Sequence, residues 1–105
     1  MPDEILQLEP SEVNAARIAL DKIPEYHWLT QGPEFFRTSD IYKRLGVNVK
    51  VVINWCEHGT RTMLPLRRYG ATPFGDQLGW RIPRSALLVF FYRVITGADA
   101  LDTDH

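Results

Sequence analysis

The sequence predicts a mainly α domain with one small β-hairpin, an α+β class. Three observations predict it. Apolar residues recur at helical spacing in four stretches, at 11–23, 39–45, 49–57 and 84–96. Glycine and asparagine punctuate the middle two of these, as helix caps do. The loop GATPFGDQ (70–77), with two glycines and a proline, separates MLPLRRY (63–69) from LGWRIP (78–83), as a hairpin turn separates two strands.

The first helix, SEVNAARIALDKI (11–23), takes Ser11 as its N-cap and places Val13, Ala16, Leu20 and Ile23 on one face. Pro24 stops it. Residues 24–34 read as a loop whose two rings, Tyr26 and Trp28, pack on the core. FFRT (35–38) leads into a helix over 39–45, with Thr38 as N-cap and Asp40 in the first turn, where the helix dipole favours an acid. Ile41 and Leu45 share a face, and Lys43 and Arg44 point away from it. Gly46 ends that helix in a left-handed turn, and Asn48 caps the next, from about Val49 to Glu57, which Gly59 stops. Two short helices joined by a glycine-containing turn make a helix-turn-helix layout. The last helix, about 84–96, follows Pro83 and is apolar nearly all round, so it requires cover on more than one side. The acidic ending GADALDTDH (97–105) is expected to fray.

At 105 residues, with 45% hydrophobic and 24% charged residues, the chain reads as one soluble globular domain with no need of metals or disulfides. A single cysteine, Cys56, excludes an internal disulfide and suggests a reducing, cytoplasmic compartment. The acidic start MPDEILQLEP does not read as a signal peptide, and the longest apolar run, ALLVFFY (86–92), is too short to span a bilayer, so no membrane partner is expected.

The net charge of −1 conceals an asymmetry. Residues 1–34 carry seven acids and two bases, a balance of −5; residues 35–84 carry nine bases and three acids, +6; residues 85–105 carry one base and three acids, −2. A basic middle between acidic ends suits a compact nucleic-acid-binding unit. The competing reading is that the ends neutralise the middle within the molecule.

Catalytic and metal signatures are sparse. Cys56, Glu57 and His58 lack the second ligand pair that zinc requires, and Cys56 reads as a small buried apolar residue. No nucleophile triad, phosphate loop or dinucleotide fingerprint occurs, so neither an enzyme nor a cofactor is expected.

Two stretches together, FFRTSDIYKRLGVNVKVVINWCEHG (35–59) and GWRIPRSALLVFF (79–91), resemble the excisionase-type branch of the MerR-like winged helix-turn-helix proteins. The residues that carry the likeness are Phe36, Thr38, Leu45, Gly46, Val47, Val52, Trp55, Gly59, Trp80, Arg81, Ile82, Pro83 and Leu87. The resemblance implies a winged helix-turn-helix over 35–96, with an N-terminal helical extension over 1–34 packed on it, a closing C-terminal helix, and an acidic tail over 97–105. It implies a small binder of double-stranded DNA, either a recombination directionality factor or a transcription regulator, working in the nucleoid with an integrase or RNA polymerase. The chain departs from the family pattern in its longer segment after Gly59, its extra N-terminus, and a second helix without exposed Arg, Ser or Thr.

That second helix sets the expected division of labour. Val49, Val52, Trp55 and Cys56 occupy its core face. Lys50, Val51, Ile53, Asn54 and Glu57 are left for other surfaces. Lys50 can reach a phosphate, Asn54 can pair with adenine, and Val51 and Ile53 can touch thymine methyls. Most of the holding then falls to phosphate contacts from Lys43, Arg44, Lys50, Arg61 and the expected wing arginines Arg67, Arg68, Arg81 and Arg84. The alternative is a winged-helix protein-interaction module, of terminase small-subunit, anti-repressor or adaptor kind, using the apolar second and last helices. A homodimer through the last helix is compatible with either.

Overall fold

The structure, a computed structural model, describes residues 5–73 and 79–97. Helices dominate it, and a three-stranded antiparallel sheet completes the α+β class. The expected acidic tail lies beyond the described residues except for Gly97, which ends the last helix in a left-handed turn at φ 67°.

α1 spans Pro10–Asp21. It begins one residue before the expected start, because Pro10 takes the first helical position and Glu9, not Ser11, is the cap. Proline is pre-organised for that position, where its missing N–H satisfies nothing. The buried face is the expected one: Ala16 and Leu20 are inaccessible, and Val13 and Ile23 pack half-buried beside them.

Residues 24–34 are more ordered than a plain loop. They contain a 3-10 turn, Pro24–Tyr26, and a single-turn helix, α2, His27–Thr30. Thr30 and Gln31 donate to the Asp21 carboxylate at 2.7 and 3.3 Å, tying α2 to the end of α1. These bonds hold the Asp21 carboxyl below the usual carboxylate range. Their support is therefore present above the ordinary carboxylate pKa and is lost as pH falls through the depressed one. Tyr26 meets Phe91 at 5.3 Å between ring centres, and Trp28 meets Phe36 edge-on at 5.5 Å, so both rings serve the core.

The sheet differs from the expected hairpin. β1, Phe35–Arg37, is a strand in its own right, and β3, Trp80–Pro83, lies between it and β2, Thr72–Pro73. Phe36 pairs with Ile82 and Arg37 with Arg81; Thr72 meets Arg81 from the other side. Alternation decides the faces: Phe36, Trp80 and Ile82 point into the core, while Phe35, Arg37 and Arg81 point out.

The stretch 63–69 is not a strand. Leu66–Tyr69 form a 3-10 turn after Pro65, and Gly70, at φ 107°, redirects the chain into β2. A strand would set Met63 and Leu66 on opposite faces, whereas both are buried here, Met63 before the turn and Leu66 at its start. The strand that pairs with β3 is instead the short Thr72–Pro73, inside the expected loop 70–77, whose residues 74–77 lie outside the described residues.

α3 spans Thr38–Leu45, α4 Val49–Glu57 and α5 Arg84–Thr96. Thr38 is the first residue of α3, not its cap; Arg37 holds the cap position. The Thr38 hydroxyl is instead buried and accepts the Trp80 backbone N–H at 2.9 Å, joining α3 to β3. α5 is the centre of the molecule. Ala86, Leu87, Leu88, Val89, Phe90 and Phe91 are consecutive and all buried, so every side of the helix is covered over that stretch. α1 lies along it, α2 and β3 pack against it, and Trp55 of α4 meets Phe90 at 4.6 Å. Arg93 near its end grips both carboxylate oxygens of Glu12 in α1, at 2.9 and 3.1 Å, and donates to the Thr62 carbonyl.

Replacing Thr38 by Val keeps its shape and strands the buried Trp80 N–H. The expected loss is about 1–3 kcal/mol in urea unfolding, recovered by Thr38→Ser. An unchanged midpoint in Thr38→Val would mean that water satisfies the N–H.

Candidate nucleic-acid interface

The two central helices are positioned by local chemistry written into their junction. The Asp40 carboxylate accepts the Arg37 N–H at 3.0 Å, closing the start of α3. Gly46 turns left-handed at φ 71°, and the N–H groups of Gly46 and Val47 both donate to the Tyr42 carbonyl. Asn48 then caps α4, its side-chain oxygen accepting the Lys50 N–H at 2.8 Å. Ile41, Val52 and Cys56 are buried, and Leu45, Val47 and Trp55 are half-buried against them. This packing aims the other face of α4 at solvent.

That face carries Lys50, Val51, Asn54 and Glu57. Lys50, Asn54 and Glu57 follow one another at helical spacing, so they form one stripe with a cation, an amide and an acid. Val51 is 38% exposed beside it. Ile53 is not on this stripe: it is half-buried and packs against the core. Cys56, Glu57 and His58 do not converge on an ion. Cys56 is inaccessible, whereas Glu57 and His58 face water 3.8 Å apart. Burial, reinforced by Glu57, pushes the Cys56 thiol up to about 12.

The other basic residues are spread over several elements. Lys43 and Arg44 are exposed on the last turn of α3, the helix that precedes the one carrying Lys50 and Asn54. Arg81 is exposed on the outward face of β3, its guanidinium 4.0 Å from the centre of the Phe35 ring. Directly opposite it is Arg37, also exposed, which the sequence reading passed over. Reading FFR as a strand with period two would have found it. Arg37 also holds the cap position of α3, so it links the sheet to the helical pair. Arg61 is exposed on the segment after Gly59, where the Thr60 N–H bonds to the Met63 carbonyl.

Arg67, Arg68 and Arg84 are placed differently from the expectation that they line a wing. Arg67 and Arg68 are half-buried in the 3-10 turn, and the Arg68 carbonyl accepts the Leu6 N–H at 2.7 Å. Arg84 is half-buried, and its guanidinium donates to the Gly32 carbonyl, while its backbone N–H bonds to Glu34 at 2.7 Å. The lost strand at 63–69 explains the first two, and the unforeseen strand β1 explains the third.

No helix among the described residues is long and apolar enough to cross a membrane. Among the same residues no three His, Cys, Asp or Glu gather as metal ligands would. Comparison with protein-family models, with curated proteins and with solved structures finds no match.

Two glycines bracket α4 with different constraints. A Cβ on Gly59 would lie 2.6–2.7 Å from backbone atoms of Met63, Leu64 and Pro65, at φ 79°, whereas one on Gly46 would meet nothing within 4 Å. Gly46→Ala should therefore cost about 1–2 kcal/mol, from its left-handed φ alone. Gly59→Ala should cost roughly 1–3 kcal/mol more, because backbone must shift. Urea midpoints of the two variants side by side check the order. The Cys56 thiol should stay unlabelled by Ellman's reagent at pH 8 in the folded protein and react fully in denaturant; rapid labelling of the folded protein would refute its burial.

Proposed function

We propose that this protein binds double-stranded DNA as a winged helix-turn-helix, with α4 set against a groove and basic residues of α3 and the sheet holding the phosphates. The observation that carries the reading is the placement of Lys43, Arg44, Lys50 and Asn54 on the exposed side of two capped helices, with Arg37 and Arg81 outward on the adjoining sheet. The sheet order β1-β3-β2, with the helical pair between β1 and β2, supports the winged arrangement. Phosphate contacts supply most of the affinity in such an interface, and α4 reads little: Asn54 suits adenine, and Val51 suits a thymine methyl. Of the roles implied by the resemblance, excisionase-like recombination factor or small transcription regulator in the nucleoid, both use this one surface. With Arg67, Arg68 and Arg84 drawn into the fold, the phosphate set is Arg37, Lys43, Arg44, Lys50, Arg61 and Arg81.

A second reading is favoured by one observation. Leu64, Val94 and Ile95 are large apolar residues left exposed, at 49%, 51% and 41%. They suit a protein interface, a homodimer included, in which Lys50 is immaterial.

Fluorescence anisotropy with a pool of 25-base-pair duplexes separates the two. If about five side chains touch phosphates, log affinity should fall against log salt with a slope of about −4 to −5. Lys50→Ala or Arg81→Ala should weaken every sequence and flatten the slope by about 1. Asn54→Ala should change preference at one base pair. Absence of salt-dependent binding at low salt would overturn the DNA reading, and Val94→Asp abolishing self-association would favour the second.

A further inference from the structure

Between α4, α5 and the turn Pro24–Tyr26 the surface opens into a groove of about 430 Å³. Four rings border it: Tyr26, Trp55, Phe90 and Phe91. Trp55 meets Phe90 at 4.6 Å with the planes tilted 43°, and Phe91 at 6.0 Å edge-on. Tyr26 closes the set at 5.3 Å from Phe91. The rings come from three elements and are locked by one another, so the shape is built into the fold. Val94, half of it exposed, forms one wall.

The polar wall is chemically one-sided. It consists of Thr60, Arg61 and Thr62, and none of the described lining residues is acidic. Arg61 is exposed, and a guanidinium presents five N–H donors, enough for a ligand beside any other partner. A volume of this size suits a small ligand, and clustered rings favour a flat aromatic one by edge-to-face and offset contact. A cation at one side with two hydroxyl residues selects a single anionic group at one end of that ligand.

We propose that this groove is a binding site for a small aromatic carboxylate, its ring system against Trp55, Phe90, Phe91 and Tyr26 and its carboxylate at Arg61. The site is independent of whether α4 meets DNA.

Titration of the 105-residue chain with 2-naphthoate, followed by 1H–15N NMR, tests it. The three tryptophan indole N–H signals report separately. The Trp55 signal should move and saturate with a Kd of about 1 mM or tighter, while that of buried Trp80 stays still. Arg61→Glu, an exposed change, should weaken binding by about two- to fivefold. Val94→Trp, which fills the groove, should abolish the Trp55 shift. The neutral analogue 2-naphthalenemethanol should bind more weakly than naphthoate. A static Trp55 signal up to roughly 10 mM naphthoate overturns the proposal. So does equal affinity for the neutral analogue, or indifference to Arg61→Glu. Line broadening at Trp55 that grows with protein concentration, without ligand, and disappears in Val94→Glu also overturns it, by showing a second copy in the groove.

Discussion

The burial of α5 is the constraint on which the rest of this protein depends. A helix with six consecutive buried residues has no solvent side along that stretch. Each of its faces must be supplied with a partner from elsewhere in a short chain. α1 and the aromatic turn after it supply one side, the sheet another, and α4 through Trp55 a third. The N-terminal segment is therefore part of the core and no appendage, since without Ala16, Leu20 and Leu29 the greasy face of α5 would stand in water. The Arg93–Glu12 pair fastens the same contact, each group partly shielded and bidentate, and the carboxylate raises the Arg93 pKa further.

This arrangement explains why α4 carries so little polar chemistry. Four of the nine helix residues mount it, Val52 and Cys56 inaccessible and Ile53 and Trp55 packed, and Asn48 before them is spent on the cap. One stripe is left, and it holds Lys50, Asn54 and Glu57. Exposed positive charge lies instead on neighbours that owe nothing to the core. The last turn of α3 and the outward face of the sheet are such places, because a helix end and an alternating strand each leave side chains that packing does not claim. The basic middle of the chain is thus divided by geometry into arginines that face water, Arg37, Arg44, Arg61 and Arg81, and half-buried arginines, Arg67 and Arg68 in the 3-10 turn and Arg84 at the start of α5.

Local signals in the chain were legible where their causes are local. α4 runs from Val49 to Glu57 and α5 from Arg84 to Thr96, as spacing and punctuation predict, because Gly46, Asn48 and Gly59 act on their immediate neighbours. The rings of Tyr26 and Trp28 were expected in the core and are there. Thr38 was misread for the opposite reason. Its sequence context is that of a cap, yet its hydroxyl answers an N–H 42 residues away. β1 was invisible because three residues show a strand only when a partner is beside them. MLPLRRY read as a strand because it flanks a loop rich in glycine and proline, and the chain instead makes a 3-10 turn over Leu66–Tyr69 between Pro65 and Gly70.

By itself, the sequence determined the α+β class, the capped helical pair, the all-round burial of α5 and the concentration of positive charge in the middle of the chain. These rest on periodicity, glycine and proline stereochemistry and composition, which act over a few residues. Only the tertiary structure decided which arginines face water, that Ile53 belongs to the core, that Arg37 stands opposite Arg81, and that four rings from three elements border one groove with Arg61 at its edge. Each of those depends on residues brought together across long stretches of chain, and side-chain exposure is a property of the packed whole.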